Sequence, residues 1–364
     1  MFDAIVVGAR CAGSPTAMLL ARNGYRVLLV DRATFPSDTI STHFIWQLGL
    51  ACLQRWNLLD RVLATNCPLI SQFGMDYGDI QLTFDVILGD GIAAICVPRR
   101  TVLDKILVDA ASEAGAEVRE GFSVTALTWS NGQVTGIRGH DRGGTEIEEK
   151  ARIVIGADGR NSLVARMVVA TEYNVRPALT CGYYAYWNVP PHFSAMHPQP
   201  RQMVYTFPTN DGLTLSYVTC SCSDFHKVRF NLDGWMSDAL NQISGFKEMF
   251  VPETRVGQIM GMRDFPNFFR KSYGDGWALV GDAGCHKDPI IGQGISDAFR
   301  SAEWLTQAVH AGLEGSRPLV DALAEYQHVR DDKFDADVRS LLQFGDARTL
   351  LPRDAGALQG AAYQ

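Results

Sequence analysis

The 364-residue chain is 46% hydrophobic and 20% charged, ordinary proportions for a folded globular protein, which excludes intrinsic disorder, collagen-like repeats and coiled coil. Its 33 Lys+Arg against 40 Asp+Glu leave a net charge of −7, so no global basic field invites nucleic acid or an anionic membrane. Apolar stretches such as 4–9 and 92–97 fall far short of the roughly 20 residues a bilayer span needs, so no membrane span is expected.

Met1 to Asp3 leads straight into an apolar strand with no basic leader, which reads as a cytoplasmic protein. Ala4 to Gly8 is a buried parallel strand, 14–23 a helix carrying Ala17, Met18, Leu20 and Ala21, and Arg26 to Asp31 the next strand. These make one βαβ unit, its helix closed by Gly24. Residues 34–99 are irregular, with strand-like pieces at 80–86 and 92–97. An amphipathic helix follows at 101–115, then strands at 116–120, 124–129 and 134–140, the last two joined by the Asn131-Gly132 hairpin signal, and a buried strand at 152–156. From 177 to 266 the pattern alternates and turns aromatic, with segments at 182–189, 202–207, 213–219 and 255–262 that predict an antiparallel sheet. A buried strand at 277–280, a helix at 295–311 and further helices over 318–343 complete the series. The fold class is therefore α/β: a discontinuous Rossmann-like domain with an inserted antiparallel β-sheet domain and C-terminal helices.

The cysteines, Cys11, Cys52, Cys67, Cys96, Cys181, Cys220, Cys222 and Cys285, are scattered and follow no secretory signal, so no disulfide framework is expected. Cys220-Ser221-Cys222 with His226 is the nearest approach to a metal pattern, but it lacks a second ligand pair; no metal is expected.

Three motifs carry the chemistry. Gly8-Ala9-Arg10-Cys11-Ala12-Gly13 lies between a strand and a helix, where a pyrophosphate rests on the helix N-terminus. Arg10 replaces the middle glycine of G-x-G-x-x-G and is itself a candidate phosphate contact. Asp31 ends the second strand at the distance suited to ribose hydroxyls, with Arg32 beside it. Ile155-Gly-Ala-Asp158-Gly159 and Leu279-Val-Gly281-Asp282 each place an aspartate at the carboxyl end of a strand, where open parallel sheets bind ligands.

These motifs in this order resemble the FAD-dependent monooxygenases of the p-hydroxybenzoate hydroxylase fold, a superfamily that includes flavin-dependent halogenases and geranylgeranyl reductases. The resemblance covers Phe2 to about Gln343. It implies an FAD-binding domain at 1–67, 99–176 and 267–345, a substrate-binding sheet domain at 68–98 and 177–266, and a tail at 346–364. It further implies that Gly8, Cys11, Ala12, Gly13 and Asp31 bind the ADP half, that Arg100, or Arg99 in its place, contacts the pyrophosphate, and that Asp158 and Asp282 serve the cofactor. Backbone N–H groups at Gly292, Gln293, Gly294 and Ile295, heading a helix, would stabilise the charge of the reduced flavin, with Pro289 as a rigid wall. Cys285 stands where the family commonly has histidine.

The expected reaction is monooxygenation of an aromatic or polyketide-like molecule by O2 through a flavin C4a-hydroperoxide, with NAD(P)H or a separate flavin reductase supplying electrons. The alternative is reduction of an isoprenoid or other alkene. A halogenase needs an early lysine, whereas the first here is Lys105, and a non-catalytic FAD-binding protein is the remaining reading. Tyr184, Tyr186, Tyr205, Phe207 and Tyr217 are candidate substrate residues that equally fit a sheet core. His43, with Thr42 before it, is the candidate for substrate orientation or proton transfer on the grounds of a near-neutral pKa; the alternative is a capping cluster in which Ser41 or Thr42 starts a helix that includes Phe44, Leu48 and Leu50.

Overall fold

The computed structural model describes residues 1–190 and 194–350, with side chains throughout except at 291 and 336–350. Its first sheet has eight strands, running Tyr273–Gly274, Trp277–Leu279, Glu146–Gly156, Phe2–Val7, Val27–Asp31, Glu117–Glu120, with the hairpin Ser123–Ser130 and Gln133–His140 attached through Glu146–Gly156. The four central ladders are parallel, with Val7 opposite both Val30 and Gly156. The unbroken apolar runs have the reason anticipated for parallel strands, burial on both faces. Ala4 and Val6 enter one core and Ile5 and Val7 the other.

The two faces are covered differently. The helices Gly13–Arg22, Arg100–Glu113 and Gly294–Glu314 pack on one side. Phe122, Leu127, Val134 and Ile137 of the hairpin region cover the other. Glu146–Gly156 serves both layers: its first half pairs antiparallel with the hairpin and its second half joins the parallel sheet. The sequence reading began this strand only at 152.

A second, seven-stranded sheet runs Arg255–Met262, Thr180–Trp187, Thr214–Ser221, Gln202–Pro208, Ala195–Gln199, Gln72–Asp76, Gln81–Asp85. One face buries Tyr184, Tyr186, Tyr205, Phe207 and Tyr217. The opposite face is covered by helices Phe225–Phe230 and Leu232–Asn241, which the sequence reading did not contain. Cys220 turns inward against Cys181 at 3.1 Å between sulfurs.

Three expectations are corrected. The piece at 92–97 supplies only bridges, Ile92 to Gly89, Ile95 to Ile70 and Cys96 to Ile45. The helix expected from Ser41 or Thr42 begins at Gln47, after Trp46 in extended conformation, so Phe44 precedes it. A single helix, Leu319–Leu350, replaces the several expected, so the tail expected at 346–364 starts inside it; 351–364 lie outside the described residues. No helix among the described residues is long and apolar enough to cross a membrane.

Candidate flavin site

The loops after Phe2–Val7, Glu146–Gly156 and Trp277–Leu279 converge at the carboxyl edge of the first sheet. Gly8 has φ +104°, and a Cβ there would sit 2.5 Å from the Ala157 carbonyl oxygen. A Cβ on Gly13 would sit 1.7 Å from the Gly8 carbonyl oxygen. Neither clash can relax, because backbone meets backbone. The glycines thus let strand, loop and helix close together, and above them lies a cleft of about 810 Å³.

Gly8, Arg10, Cys11, Ala12, Asp31, Arg32, Arg100, Asp158, Gly281, Asp282, Gln293, Gly294 and Ile295 line this cleft, as do Thr42 and Pro289. Gly13 and Gly292 stand behind it, the latter at φ +65° against Phe44. The helix Gly13–Arg22 begins at Ala12 without a side-chain cap and without an acid in its first turn, so its partial positive charge is offered to the cleft. The helix Gly294–Glu314 likewise starts at Gln293 without a side-chain cap, and a Cβ on Gly294 would meet nothing within 4 Å. Both features fit a large anionic cofactor.

Charged groups flank these helix ends. Asp104, fully buried, accepts from Arg100 Nε and Nη2 at 3.0 Å each and from Arg10 Nη1 at 2.6 Å. The sequence reading missed Asp104, although an acid four residues after Arg100 on one helix is a recognisable pair. Asp31 accepts from the Ala9 N–H at 2.7 Å and the Ala33 N–H at 2.8 Å, which fixes the loop around it. Asp158 accepts from Ser162 Oγ at 2.5 Å and the Leu163 N–H at 2.6 Å, while burial raises its pKa. Lys287 and Asp297, ten positions apart, form a buried ion pair at 2.7 Å in the cleft wall. Asp288 ties the second sheet to the short strand Asn267–Arg270: it accepts from Thr180 Oγ1 at 2.5 Å and the Ile290 N–H at 3.1 Å, and its N–H donates to Asn267 at 2.8 Å. No spacing rule pointed to Lys287, Asp288 or Asp297.

The substrate and catalytic candidates are placed less as expected. Of the five aromatic residues only Tyr217 lines the cleft, joined from the sheet side by Met262 and Phe265. Tyr184, Tyr186, Tyr205 and Phe207 belong to the packed interior, as the sheet-core reading allowed. Tyr184 donates to the Thr39 carbonyl at 3.3 Å and Tyr205 to the Ile290 carbonyl at 2.9 Å, so both rings anchor cleft loops from behind. His43 is fully buried at φ +66° and does not line the cleft. Its Nε2 is 2.7 Å from the Tyr186 hydroxyl, and its ring meets Tyr184 edge-on at 4.8 Å. Burial, followed by repulsion from Arg100, lowers its pKa to about 3, which removes the near-neutral pKa on which the proton-transfer expectation stood. Cys285 is buried, and His286 is held by the Pro266 carbonyl.

Comparison with known proteins agrees with this geometry. The family model of an FAD binding domain matches residues 1–339. A digeranylgeranylglycerophospholipid reductase of Methanocella arvoryzae is 28% identical over 352 residues, 94% of this chain and 83% of the relative. Conditioned medium factor receptor 1 of Dictyostelium discoideum is 24% identical over 370 residues, 92% of this chain and 68% of the relative. Among solved structures, the myxobacterial chondrochloren halogenase CndH is similar in fold, with a TM-score of 0.87 at 23% identity over 98% of this chain and 84% of that one. PqsL, a probable FAD-dependent monooxygenase from Pseudomonas aeruginosa, has a TM-score of 0.80 at 19% identity over 93% and 94% of the two chains. With a glycine cradle, two uncapped helix ends and paired guanidiniums facing one cleft, this chain belongs to the FAD-binding domain family and is an FAD-dependent oxidoreductase.

Proposed function

We propose that the protein is a monooxygenase that inserts one atom of O2 into an aromatic or polyketide-like molecule, with NAD(P)H or a separate flavin reductase as the source of electrons. Bound FAD would supply two-electron redox chemistry and, with O2, the oxidant. The first helix N-terminus and Arg100 would hold the diphosphate, Asp31 a ribose, and Asp282 the ribityl chain. The N–H groups of Gln293, Gly294 and Ile295 would stabilise negative charge on the reduced ring, with Pro289 beside it.

The observation that supports oxygen insertion is the sheet-side wall. Tyr217, Met262 and Phe265 present neither a carboxyl nor an imidazole group to the cleft, and the rings behind them are buried. Such a wall excludes water, which would otherwise destroy an activated oxygen species. The second reading, reduction of an isoprenoid-like alkene, is favoured by the reductases among the relatives.

Incubation of the holoenzyme with NAD(P)H, ¹⁸O2 and panels of phenols and prenyl compounds separates the two. One ¹⁸O atom in a product supports the monooxygenase. A product heavier by two hydrogens, formed equally well without O2, supports the reductase and sinks the first reading.

A further inference from the structure

Arg10 departs from the dinucleotide fingerprint, and its surroundings say what the departure does. The side chain is one quarter exposed, at 26%, and its guanidinium is turned toward the segment after the second strand. Nη2 donates to Ser37 Oγ at 2.8 Å and to the Asp38 carbonyl at 3.4 Å, and Nη1 reaches the Ser37 carbonyl at 3.4 Å. The same group lies over the Phe35 ring, 5.4 Å from its centroid. Its remaining strong contact is Asp104 Oδ2, at 2.6 Å.

Asp104 is the pivot of this arrangement. It is 0% exposed and grips Arg100 in a fork while holding Arg10 from the other side, and Cys11 Sγ donates to it at 3.4 Å. Two guanidiniums on one oxygen pair repel each other in a poorly solvated place, so neither could keep its orientation without the carboxylate between them. Arg100 is thereby left with its Nη1 edge for a ligand, while most donors of Arg10 are spent on residues 37 and 38.

We infer that Arg10 is a positioning residue, a latch that fastens the dinucleotide loop to the segment Ser37–Thr42, and that Asp104 sets its angle. The segment matters because Asp38, Thr39, Ile40, Ser41 and Thr42 form one wall of the cleft. In the usual fingerprint the middle glycine lets the backbone approach the diphosphate. Here that approach is exchanged for a tether between the cofactor loop and the reaction chamber. This reading is set against the expectation that Arg10 is a phosphate contact; it rests on the FAD reading only for the identity of what fills the cleft.

The test is amide hydrogen exchange of the holoenzyme together with FAD titration, for wild type, Arg10→Met, Arg10→Lys and Ser37→Ala. The latch predicts that exchange over 37–42 rises about tenfold or more in Arg10→Met, as expected for losing a charge-assisted hydrogen bond. FAD affinity should change less than about threefold, since the helix N-terminus and Arg100 remain to hold the diphosphate. Arg10→Lys keeps the charge without the fork and should resemble Arg10→Met. Ser37→Ala removes the acceptor from the far side and should raise exchange in the same residues. Visible circular dichroism of the bound flavin should shift in all three, as the chamber wall loosens. Unchanged exchange, or a loss of FAD affinity larger than tenfold in Arg10→Met that Lys restores, would overturn the latch in favour of a phosphate contact. If wild type takes up no FAD, the flavin reading fails, while exchange in the same variants still decides the latch.

Discussion

The two halves of the molecule are built on different economies. In the flavin half, position is dictated by backbone: glycines meet carbonyl oxygens, and helix ends and buried charges are aimed at the cleft. In the sheet half, position is dictated by side-chain volume: Tyr184, Tyr186, Phe207 and Leu215 interlock with Phe44 and Val97, with the Arg99 guanidinium laid over the Tyr186 ring. The first half tolerates almost no change at a few positions, and the second tolerates graded change at many. Cofactor geometry is thus fixed while the chamber beside it stays adjustable.

That contrast can be broken by substitution. Gly13→Ala is expected to have the largest effect, complete loss of bound FAD and of a cooperative unfolding transition, because the added methyl meets backbone oxygen at 1.7 Å. Thermal unfolding followed by flavin absorbance would show it; a yellow, cooperatively folded variant would refute backbone control. Phe207→Ala should cost roughly 3–5 kcal/mol of stability, the usual range for emptying an aromatic site, given its 1% exposure and its 4.4 Å edge contact with Phe44. Below its lowered transition this variant should still bind FAD, as seen by equilibrium dialysis. Loss of FAD in parallel with stability would mean that the halves are not separable.

The pH dependence sharpens the comparison, since His43 carries an ionisable ring into the aromatic interior. Its pKa is lowered to about 3 in the fold from an ordinary 6.5. Above pH 6.5 the ring is neutral in both states and costs nothing. As pH falls below 6.5 the unfolded chain takes up a proton that the native state refuses until about pH 3, so stability declines across that window. The limiting slope for one such group is about 1.4 kcal/mol per pH unit. His43→Asn, which tolerates the positive φ, should flatten the denaturant-midpoint profile between pH 6 and pH 4 by an amount approaching that slope. A profile unchanged by the substitution would show that the ring titrates normally. The smallest effect is expected at the rim of the second sheet, where Ile87 is 79% exposed: Ile87→Ser should shift stability by no more than about 0.5 kcal/mol in chemical denaturation.

The same contrast explains what could be read from the chain. Backbone-dictated features leave local signatures, so the βαβ unit, the Asn131-Gly132 hairpin and the strand-end motifs were legible, as was the gathering of most cofactor candidates at one cleft. Volume-dictated features are settled between distant segments. Nothing local distinguishes Tyr217, which lines the cleft, from Tyr205, its partner across the ladder, which does not. The helices at 225–241 escaped because Asn231 and Gly234 interrupt a short apolar pattern that only the sheet face completes. His43 looked like a titrating base because its burial depends on Tyr184 and Tyr186, more than 140 positions away.

The narrow seam at Tyr217, Met262 and Phe265 has a consequence for inheritance. Tyr217 is part of the ring cluster, its ring 5.7 Å from that of Tyr205, whereas Met262 ends the edge strand of the aromatic sheet outside that cluster, so Met262 is where a lineage can change the cleft with the least disturbance to the glycine cradle or the rings. A change there is expected to alter what the cleft admits in a single step that leaves the fold standing. A combinatorial library confined to positions 217, 262 and 265 would walk the same ground in the laboratory.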